Sequence, residues 1–410
     1  MEEAARLTIQ TYCDSNGVPY FADDVDDLYE RFYNWPVFHA MGGSTDMLTL
    51  SMREYESINQ SHAHDTINPH YPWIFPQLYN EYYSLQVPKE QSASWIPGQR
   101  IITDWHHMGE GNMAFYDFGV ADPTIYENAR RAQRFAGMYI GEDAEAPNWD
   151  PVHKIIRSPI NSSQGPHHRA TLNEAMDYLH GGVSLNNPDW KPRRMGSRSS
   201  LYPIVEDLQF GWWDDSEKAA EVVGLFNDIV LNADLAANLS ATGLVTNAYL
   251  YTGDEKYKKW VLDYVDAWLD RSRKNGGIIP DNVGPTGKVG ENRNGVWYGG
   301  LTGWSSTYGY TRLFHSVMVA TECAVLLSGD LGYTELMRSQ IKVLLDNSFT
   351  REDGHLLVPV RYTPDGWAGD MDDPVMLGPR PLRVYEPAHV YHMSMSVSYT
   401  HLTLPTNREV

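Results

Sequence analysis

The sequence has little of several features that would mark common protein classes. Only two cysteines, Cys13 and Cys323, occur in 410 residues, so a disulfide framework is not predicted. No apolar run approaches the roughly 18 to 20 residues of a membrane span. The 32 basic residues are outnumbered by 53 acidic ones, giving a net charge of −21. We therefore expect neither a nucleic-acid nor a membrane partner, because both favour a basic surface.

Phenylalanine is scarce compared with the other aromatic residues. The chain has 11 Phe but 13 Trp and 26 Tyr. Tryptophan and tyrosine combine a flat apolar ring with a polar edge, which suits stacking on sugar faces while the sugar hydroxyls stay hydrogen-bonded. The packing of helices also uses these residues. Composition alone therefore leaves a carbohydrate site and a purely structural explanation equally open.

The remaining composition indicates a soluble globular protein, with 42% hydrophobic residues. Its acidity fits a secreted enzyme or a salt-adapted source. No leader sequence is evident in Met1–Gln10. We expect a secreted or periplasmic protein, and a cytoplasmic location stays open.

A glycine-containing turn between helical segments recurs along the chain. Glycine accepts the left-handed backbone that ends a helix, and a following Ser, Thr or Asp caps the next helix. The turns are Met41–Asp46, Phe118–Pro123, Leu250–Asp254 and Leu326–Asp330. The spacing of Gly43 and Gly119 equals that of Gly253 and Gly329. Repeated hairpins of this kind predict an all-α fold, an (α/α)6-type toroid.

The helices themselves are readable from their apolar positions. One apolar face runs through Tyr257, Trp260, Val261, Tyr264, Val265 and Trp268, at the spacing of an α-helix. Strand patterns are sparse, and Leu356–Tyr362 is the best of them. We therefore predict a toroid domain over 1–347 and the start of a truncated segment over 348–396, for which a β structure is one alternative.

The last residues do not resemble evolved protein sequence. Val397–Thr406 resembles the translated read-through of an adapter used in sequencing libraries. We therefore treat 397–410 as a non-native tail and exclude it from the fold prediction. The expected consequence is that the chain is a metagenomic fragment.

Long connections alternate with the tight turns and carry most of the chemistry. Long structured loops in compact domains are usually functional. The densest cluster supplies a carboxylate and imidazoles as acid or base candidates and an indole and an amide for binding. Its residues are Trp105, His106, His107, Glu110 and Asn112. The alternative is that these polar groups cap the next helix.

A second cluster lies in Gly276–Trp304. Glycines surround Asp281, a second carboxylate, and paired carboxylates are what glycoside hydrolysis usually requires. Tyr298 is a candidate proton donor, and Trp297 and Trp304 are candidate stacking platforms. Asn282 and Arg293 add polar binding groups. A plain β-turn at Asp281 is the structural alternative.

A third cluster supplies bases in an otherwise acidic chain. Arg157 precedes His167 and His168, and an arginine could hold a sugar carboxylate. An ion pair with the acidic stretch Glu142–Glu145 is the alternative. The histidines of 62–70 match no firm ligand spacing, so we predict neither a metal nor another cofactor.

The turn Thr252–Tyr257, together with Gly276–Trp304, resembles α/α-toroid carbohydrate-active enzymes, which include uronyl hydrolases and toroid polysaccharide lyases. The resemblance covers roughly 20–347 and is architectural. It implies a poly- or oligosaccharide substrate that contains uronic acid. It transfers no catalytic residue to this chain, since fold analogy alone does not fix function.

Three hypotheses follow. A glycoside hydrolase, slightly favoured, would use Glu110 and Asp281 as acid and base. A polysaccharide lyase would use His107, His168 or Tyr298 for proton transfer and Asn112, Arg157 or Arg293 to neutralise a uronate. A sugar-binding toroid without catalysis is the third. The sequence leaves the sugar and the oligomeric state open.

Overall fold

The computed structural model describes residues 2–15, 29–63, 110–144, 146–162, 165–172, 175, 211–300, 303–306, 309–363, 366–368, 379–383 and 385–396. These residues are mostly helical and their strands are short. The predicted all-α class is therefore confirmed, and the helical hairpins are consistent with a toroid-like fold. The predicted tail 397–410 lies outside the described residues, and the predicted domain boundary at residue 347 stays a prediction.

The α-helices of the described residues are α1 (Glu2–Tyr12), α2 (Trp35–Ala40), α3 (Thr45–Ala63), α4 (Glu110–Ala121), α5 (Tyr126–Ile140), α6 (Ser216–Phe226), α7 (Ala241–Thr252), α8 (Glu255–Lys274), α9 (Tyr310–Ser328), α10 (Glu335–Asp346) and α11 (Tyr385–Ser394). The strands pair as β1 (Trp149–Asp150) with β2 (Ile155–Ile156), β3 (Asn161–Ser162) with β4 (Gly165–Pro166), β5 (Phe349–Thr350) with β6 (Leu356–Leu357), and β7 (Arg361–Thr363) with β8 (Gly366–Ala368). The predicted strand Leu356–Tyr362 is therefore interrupted between β6 and β7.

The turn between α7 and α8 has the predicted chemistry. Gly253 has a φ of +66°, and its amide donates to the carbonyl of Tyr249 at 2.7 Å. Asp254 then accepts from the amide of Lys256 at 3.1 Å, which caps α8. The turn between α9 and α10 repeats this geometry, with Gly329 at a φ of +73° and Asp330 accepting from the amide of Gly332 at 2.7 Å.

The turn at Phe118–Pro123 differs from the prediction. Gly119 lies inside α4, which continues to Ala121. A Cβ on Gly119 would lie 3.1 Å from the ring of Tyr251. The glycine therefore allows close packing against α7 and does not end its helix.

The chain divides into two compact units. The first unit comprises Met1–Pro147, Ile160–Gly165 and Leu244–Tyr257, and the second comprises Asn148–Pro159, Pro166–Gly243 and Lys258–Val410. The core of the first unit is aromatic: Tyr55 stacks on Phe115 at 6.1 Å and meets Phe118 edge-on at 5.5 Å. Arg131 covers the Tyr55 ring at 5.1 Å.

The predicted apolar face of α8 is buried in the structure and lies largely in the second unit. Trp260, Tyr264 and Trp268 follow one another along this face. Trp149 of β1 packs on Trp260 at 5.0 Å and on Tyr264 at 5.6 Å. The hydroxyl of Tyr264 donates to the fully buried carboxyl of Asp234. Burial raises the pKa of Asp234 to about 7, although Arg271 opposes the shift.

Candidate functional site

The loop after α8 carries the second predicted cluster, and buried hydrogen bonds fix its course. Gln340 of α10 accepts from the amide of Ile279 at 2.9 Å and donates to the carbonyl of Gly277 at 3.0 Å. Further along, Val283 and Asp234 exchange two backbone hydrogen bonds. Both ends of this loop segment are thus tied to buried parts of the second unit.

Asp281 lies at the centre of this loop and is 1% exposed. One carboxylate oxygen accepts from the amide of Trp304 at 2.5 Å. The other oxygen accepts from the amides of Gly299 at 2.9 Å and Ser305 at 3.0 Å. Burial raises the pKa of Asp281, while these backbone amides oppose the shift. The carboxylate therefore organises the chain around it and has both oxygens engaged.

Two glycines let the chain approach this carboxylate. A Cβ on Gly303 would lie 2.1 Å from a carboxylate oxygen of Asp281. Gly299 has a φ of +92°, and a Cβ there would lie 1.9 Å from Arg293. Any larger residue would displace these groups. Asn282 donates to the carbonyl of Gly299 at 2.8 Å, which fixes the same turn.

Arg293 is a buried cation beside this turn, with 9% of its surface exposed. Its guanidinium carbon lies 5.2 Å from the ring centroid of Tyr298, a cation–π contact. Burial lowers the pKa of Arg293, and the charge of Asp281 opposes this shift. Among the described residues, Nε and Nη1 of Arg293 have no hydrogen-bond partner.

Five aromatic side chains form one cluster next to Arg293. The cluster, called the aromatic cluster below, consists of Trp297, Tyr298, Trp304, Tyr362 and Trp367. Tyr362 of β7 lies 4.7 Å from Trp297, 5.0 Å from Tyr298 and 4.9 Å from Trp367. Trp304 is fully buried and meets Trp367 at 4.9 Å, whereas the other four rings are half-buried. Partly exposed rings in mutual contact offer a stacking surface.

Tyr362 and Trp367 were not among the predicted site residues. They enter the cluster because β7 joins the predicted loop: the amide of Tyr362 donates to the carbonyl of Trp304 at 2.9 Å. The run of apolar residues in Leu356–Tyr362 is the signal in the sequence for a strand here. It carries no information about which loop the strand meets.

The third predicted cluster is also assembled in the second unit. The hydroxyl of Ser158 donates to the carbonyl of His167 at 2.8 Å, and Asn232 donates to that of His168 at 3.1 Å. Burial lowers the pKa of His168, and the nearby charge of Arg157 adds to this effect. Arg157 itself is exposed and donates to the carbonyl of Trp149 at 3.3 Å.

The first predicted cluster is described only in part. Trp105, His106 and His107 lie outside the described residues, and Glu110 is described only as the first residue of α4. Asn112 is buried in the first unit, and its side-chain oxygen has no hydrogen-bond partner within the described part. On the same helix, burial raises the pKa of Asp117 to about 6, a carboxyl that the sequence did not single out.

A further polar group lies where α9 packs against α11. His389 pairs through Nδ1 with the carboxylate of Glu322. This hydrogen bond raises the pKa of His389, and burial opposes it. Earlier on α9, burial lowers the pKa of His315, and the charges of Arg383 and Arg312 add to this effect. The pKa values of His315 and His389 are thus shifted in opposite directions.

The described residues contain neither a metal-binding group nor a membrane-spanning helix. No group of three or more His, Cys, Asp or Glu side chains there could hold a metal ion. None of the helices described is long and apolar enough to span a bilayer.

Comparison with known proteins gives one family and one structural likeness. No curated protein matches the chain. A crystal structure of a sugar epimerase from a ruminal bacterium aligns with a TM-score of 0.48 and 13% identity over 97% of this chain and 80% of that one. A likeness at that level carries no functional argument. The sequence model of a domain of unknown function, DUF8034, matches residues 1–85 and 94–381. Because the match spans most of its length, the chain belongs to the DUF8034 family.

Proposed function

We propose that the protein is a carbohydrate-active enzyme that binds a poly- or oligosaccharide at the aromatic cluster and cleaves its glycosidic bonds. The observation that carries the proposal is the contact of four half-buried rings beside Arg293. Such rings stack on the apolar faces of sugars. A neighbouring guanidinium favours a sugar that bears a carboxylate. We therefore propose a saccharide containing uronic acid.

The arrangement favours β-elimination over hydrolysis at this site. Elimination needs a cation near the uronate and a group that transfers a proton to the leaving oxygen. Arg293 and Tyr298 supply these two groups in direct contact, at 5.2 Å. Hydrolysis would need a free carboxyl, and both oxygens of Asp281 already accept backbone amides. We assign Asp281 the role of holding the loop.

Hydrolysis stays a second candidate because of one carboxyl in the first unit. The pKa of Asp117 is raised to about 6, which suits a general acid near neutral pH. Glu110 and Asp117 are seven residues apart in the sequence of α4. In this alternative Asp117 takes the role that the sequence assigned to Asp281.

The product formed from uronic-acid polysaccharides separates the two reactions. We expect the full chain to release unsaturated uronates, which absorb in the ultraviolet because their double bond is conjugated with the carboxylate. New reducing ends without this absorbance would favour hydrolysis. Binding without any product would leave a sugar-binding protein and contradict the enzymatic proposal.

The aromatic cluster is tested by Trp367→Ala. We expect substrate affinity to fall about twofold to tenfold, because stacking on one aromatic ring contributes about 0.5 to 1.5 kcal/mol. Isothermal titration calorimetry with a uronic-acid oligosaccharide measures the loss. The matched control is Trp213→Ala, since Trp213 lies outside the cluster and contacts Trp212 at 5.8 Å. Equal affinity in wild type and Trp367→Ala would contradict the proposed site.

A further inference from the structure

We propose that Arg271 is a positioning residue of the proposed site, and that it holds the site loop, residues 276–300, only while its neighbour Asp234 is uncharged. The proposal rests on the proposed function and adds the regulation of the same site. Arg271 lies near the end of α8, and Asp234 lies between α6 and α7. Neither residue stood out in the sequence.

The guanidinium of Arg271 joins the site loop to the turn between β1 and β2. Its Nε donates to the carbonyl of Gly287 at 3.3 Å. Its Nη2 donates to the carbonyls of His153 at 2.7 Å and Lys154 at 3.1 Å. The guanidinium carbon lies 5.6 Å from the ring centroid of Trp268, and 6% of Arg271 is exposed. One buried cation thus connects two segments that are distant in the sequence.

Asp234 contacts the same loop and the same hairpin. Its backbone exchanges two hydrogen bonds with Val283 of the site loop, at 2.7 and 2.9 Å. Its fully buried carboxyl accepts from the amide of Ile156 in β2 at 3.2 Å. The same carboxyl accepts from the hydroxyl of Tyr264 at 3.0 Å and from the side chain of Asn238 at 2.9 Å. The site loop is therefore attached to the β1–β2 hairpin at two places.

The attached part of the loop adjoins the residues that shape the aromatic cluster. Val283 follows Asn282, which donates to the carbonyl of Gly299 at 2.8 Å. Asp281 accepts from the amides of Gly299 and Trp304. Trp304 is a member of the aromatic cluster. A displacement of Val283 is therefore transmitted to the cluster through its two neighbours in the chain and their buried hydrogen bonds.

The charge of Asp234 determines which group Arg271 binds. Nη1 of Arg271 has no hydrogen-bond partner among the described residues. Burial lowers the pKa of Arg271 and the charge of Asp234 opposes this shift, so an ionised Asp234 attracts the guanidinium. An uncharged Asp234 leaves the guanidinium on the carbonyls of Gly287 and of the β1–β2 turn. Because burial raises the pKa of Asp234 to about 7, both forms are populated at neutral pH.

The neighbouring charged or titratable groups lie on α8 and in the β1–β2 hairpin. They are Tyr264, Asp263, Asp270, Asp150, His153 and Lys154. His153 pairs with Asp150 at 2.9 Å, and Lys154 pairs with Asp263 at 3.5 Å. Burial raises the pKa of Tyr264 well above its ordinary value. A variant at Asp234 alone separates its effect from that of these groups.

The positioning role is tested by Arg271→Met in the full chain, with Arg273→Met as the matched control. Arg273 is an exposed arginine of the same helix and pairs with Glu335. Isothermal titration calorimetry at pH 6 measures the affinity for oligosaccharides of polygalacturonate, alginate and hyaluronate. We expect Arg271→Met to weaken binding about tenfold, because the loop loses a charged hydrogen-bond donor, and Arg273→Met to bind as the wild type does.

Two outcomes of this comparison count against the proposal in different ways. Equal affinity in wild type and Arg271→Met would overturn the role of Arg271 and leave the proposed function intact. A wild type that binds none of the three oligosaccharides would remove both.

Asp234→Asn tests the dependence on charge without removing the buried cation. Apparent affinity follows the fraction of protein in the competent form, so the wild-type affinity should fall about tenfold between pH 6 and pH 8. Asparagine cannot ionise, so the variant should bind as tightly at pH 8 as at pH 6. A wild-type affinity that stays constant over this range, or that falls equally in Asp234→Asn, would overturn the proposal.

Proton uptake separates this role from a merely structural one. Since binding favours the uncharged form of Asp234, the wild type should take up as much as about half a proton per bound saccharide at pH 7. Calorimetry in two buffers of different ionisation enthalpy measures this uptake, and Asp234→Asn should lack it. Equal uptake in the two proteins, or a release of protons by the wild type, would contradict the proposed coupling.

Discussion

Asp281 and Asp234 are both buried carboxyl groups of the second unit, but their hydrogen-bond partners differ in kind. Asp281 accepts from three backbone amides. Asp234 accepts from the hydroxyl of Tyr264, the amide group of Asn238 and one backbone amide. Backbone amides can only donate, and they therefore favour a carboxylate. A hydroxyl can also accept, so the Asp234 site tolerates the protonated form.

The role of Asp281 is tested by Asp281→Asn. The asparagine NH2 group would face a backbone amide that also donates, so we expect a loss of about 2 to 3 kcal/mol of unfolding free energy. Urea denaturation measures the loss, and Asp228→Asn, at an exposed aspartate, is the matched control. A variant with wild-type stability but no turnover would instead favour the acid or base role that the sequence first indicated.

The raised pKa of Asp234 predicts how the free energy of unfolding depends on pH. Its pKa rises from 3.8 in the unfolded chain to about 7 in the folded protein. The contribution of Asp234 to the free energy of unfolding is fully present below about pH 4. It is lost as the pH rises to about 7, because only the unfolded chain releases the proton in that range. The loss amounts to about 4 kcal/mol at most, at about 1.4 kcal/mol per pKa unit.

The measurement is the unfolding free energy of wild type and Asp234→Asn across this range. Asparagine cannot ionise, so the variant should lose this part of the decline with pH. Parallel curves for the two proteins between about pH 4 and pH 7 would contradict the raised pKa of Asp234.

At the scale of elements, the tight turns are where the sequence was most informative. Gly253 and Gly329 both adopt the predicted left-handed backbone. Asp254 caps α8, and Asp330 caps the short 3-10 helix Leu331–Thr334 that leads into α10. These features depend on neighbouring residues only, so a local pattern suffices to predict them. Gly119 fails the pattern because its contact is with Tyr251, which is distant in the sequence.

Gly253→Ala tests the turn chemistry. No atom lies within 4 Å of a Cβ at this position, so the cost comes from the left-handed backbone alone. We expect a loss of about 1 kcal/mol, measured by thermal or urea unfolding. Gly224→Ala is the matched control, because Gly224 lies within α6 and also has open space around it. There alanine should stabilise by up to about 1 kcal/mol. Equal effects at both positions would contradict the assignment.

The candidate site was predictable only in part, because some of its residues come from segments that are distant in the sequence. The glycines around Asp281 lie where the chain comes close to a side chain. The group approached is Asp281 itself, since Gly303 leaves room for the Asp281 carboxylate. Tyr362 and Trp367 reach the aromatic cluster through a pairing between distant segments, which no local periodicity contains.

At the scale of the whole molecule, the net charge of −21 is the dominant electrostatic feature. Like charges repel one another in the compact state, and salt screens this repulsion. We expect the melting temperature to rise by a few degrees between low and moderate NaCl concentration, about 1 kcal/mol in free energy. Sucrose at equal osmolality, which does not screen charge, is the control. A melting temperature that falls with salt would mean that attractive pairs outweigh the repulsion.

The two units are not consecutive halves of the chain. Each is built from three separate stretches, and α8 begins in one unit and continues in the other. No single cut can therefore release either unit as one continuous polypeptide. Trimming one end removes one stretch of a unit and leaves the other two stretches of that unit behind. Circular permutation, which keeps every stretch in the chain, is the better way to test what each unit contributes to stability.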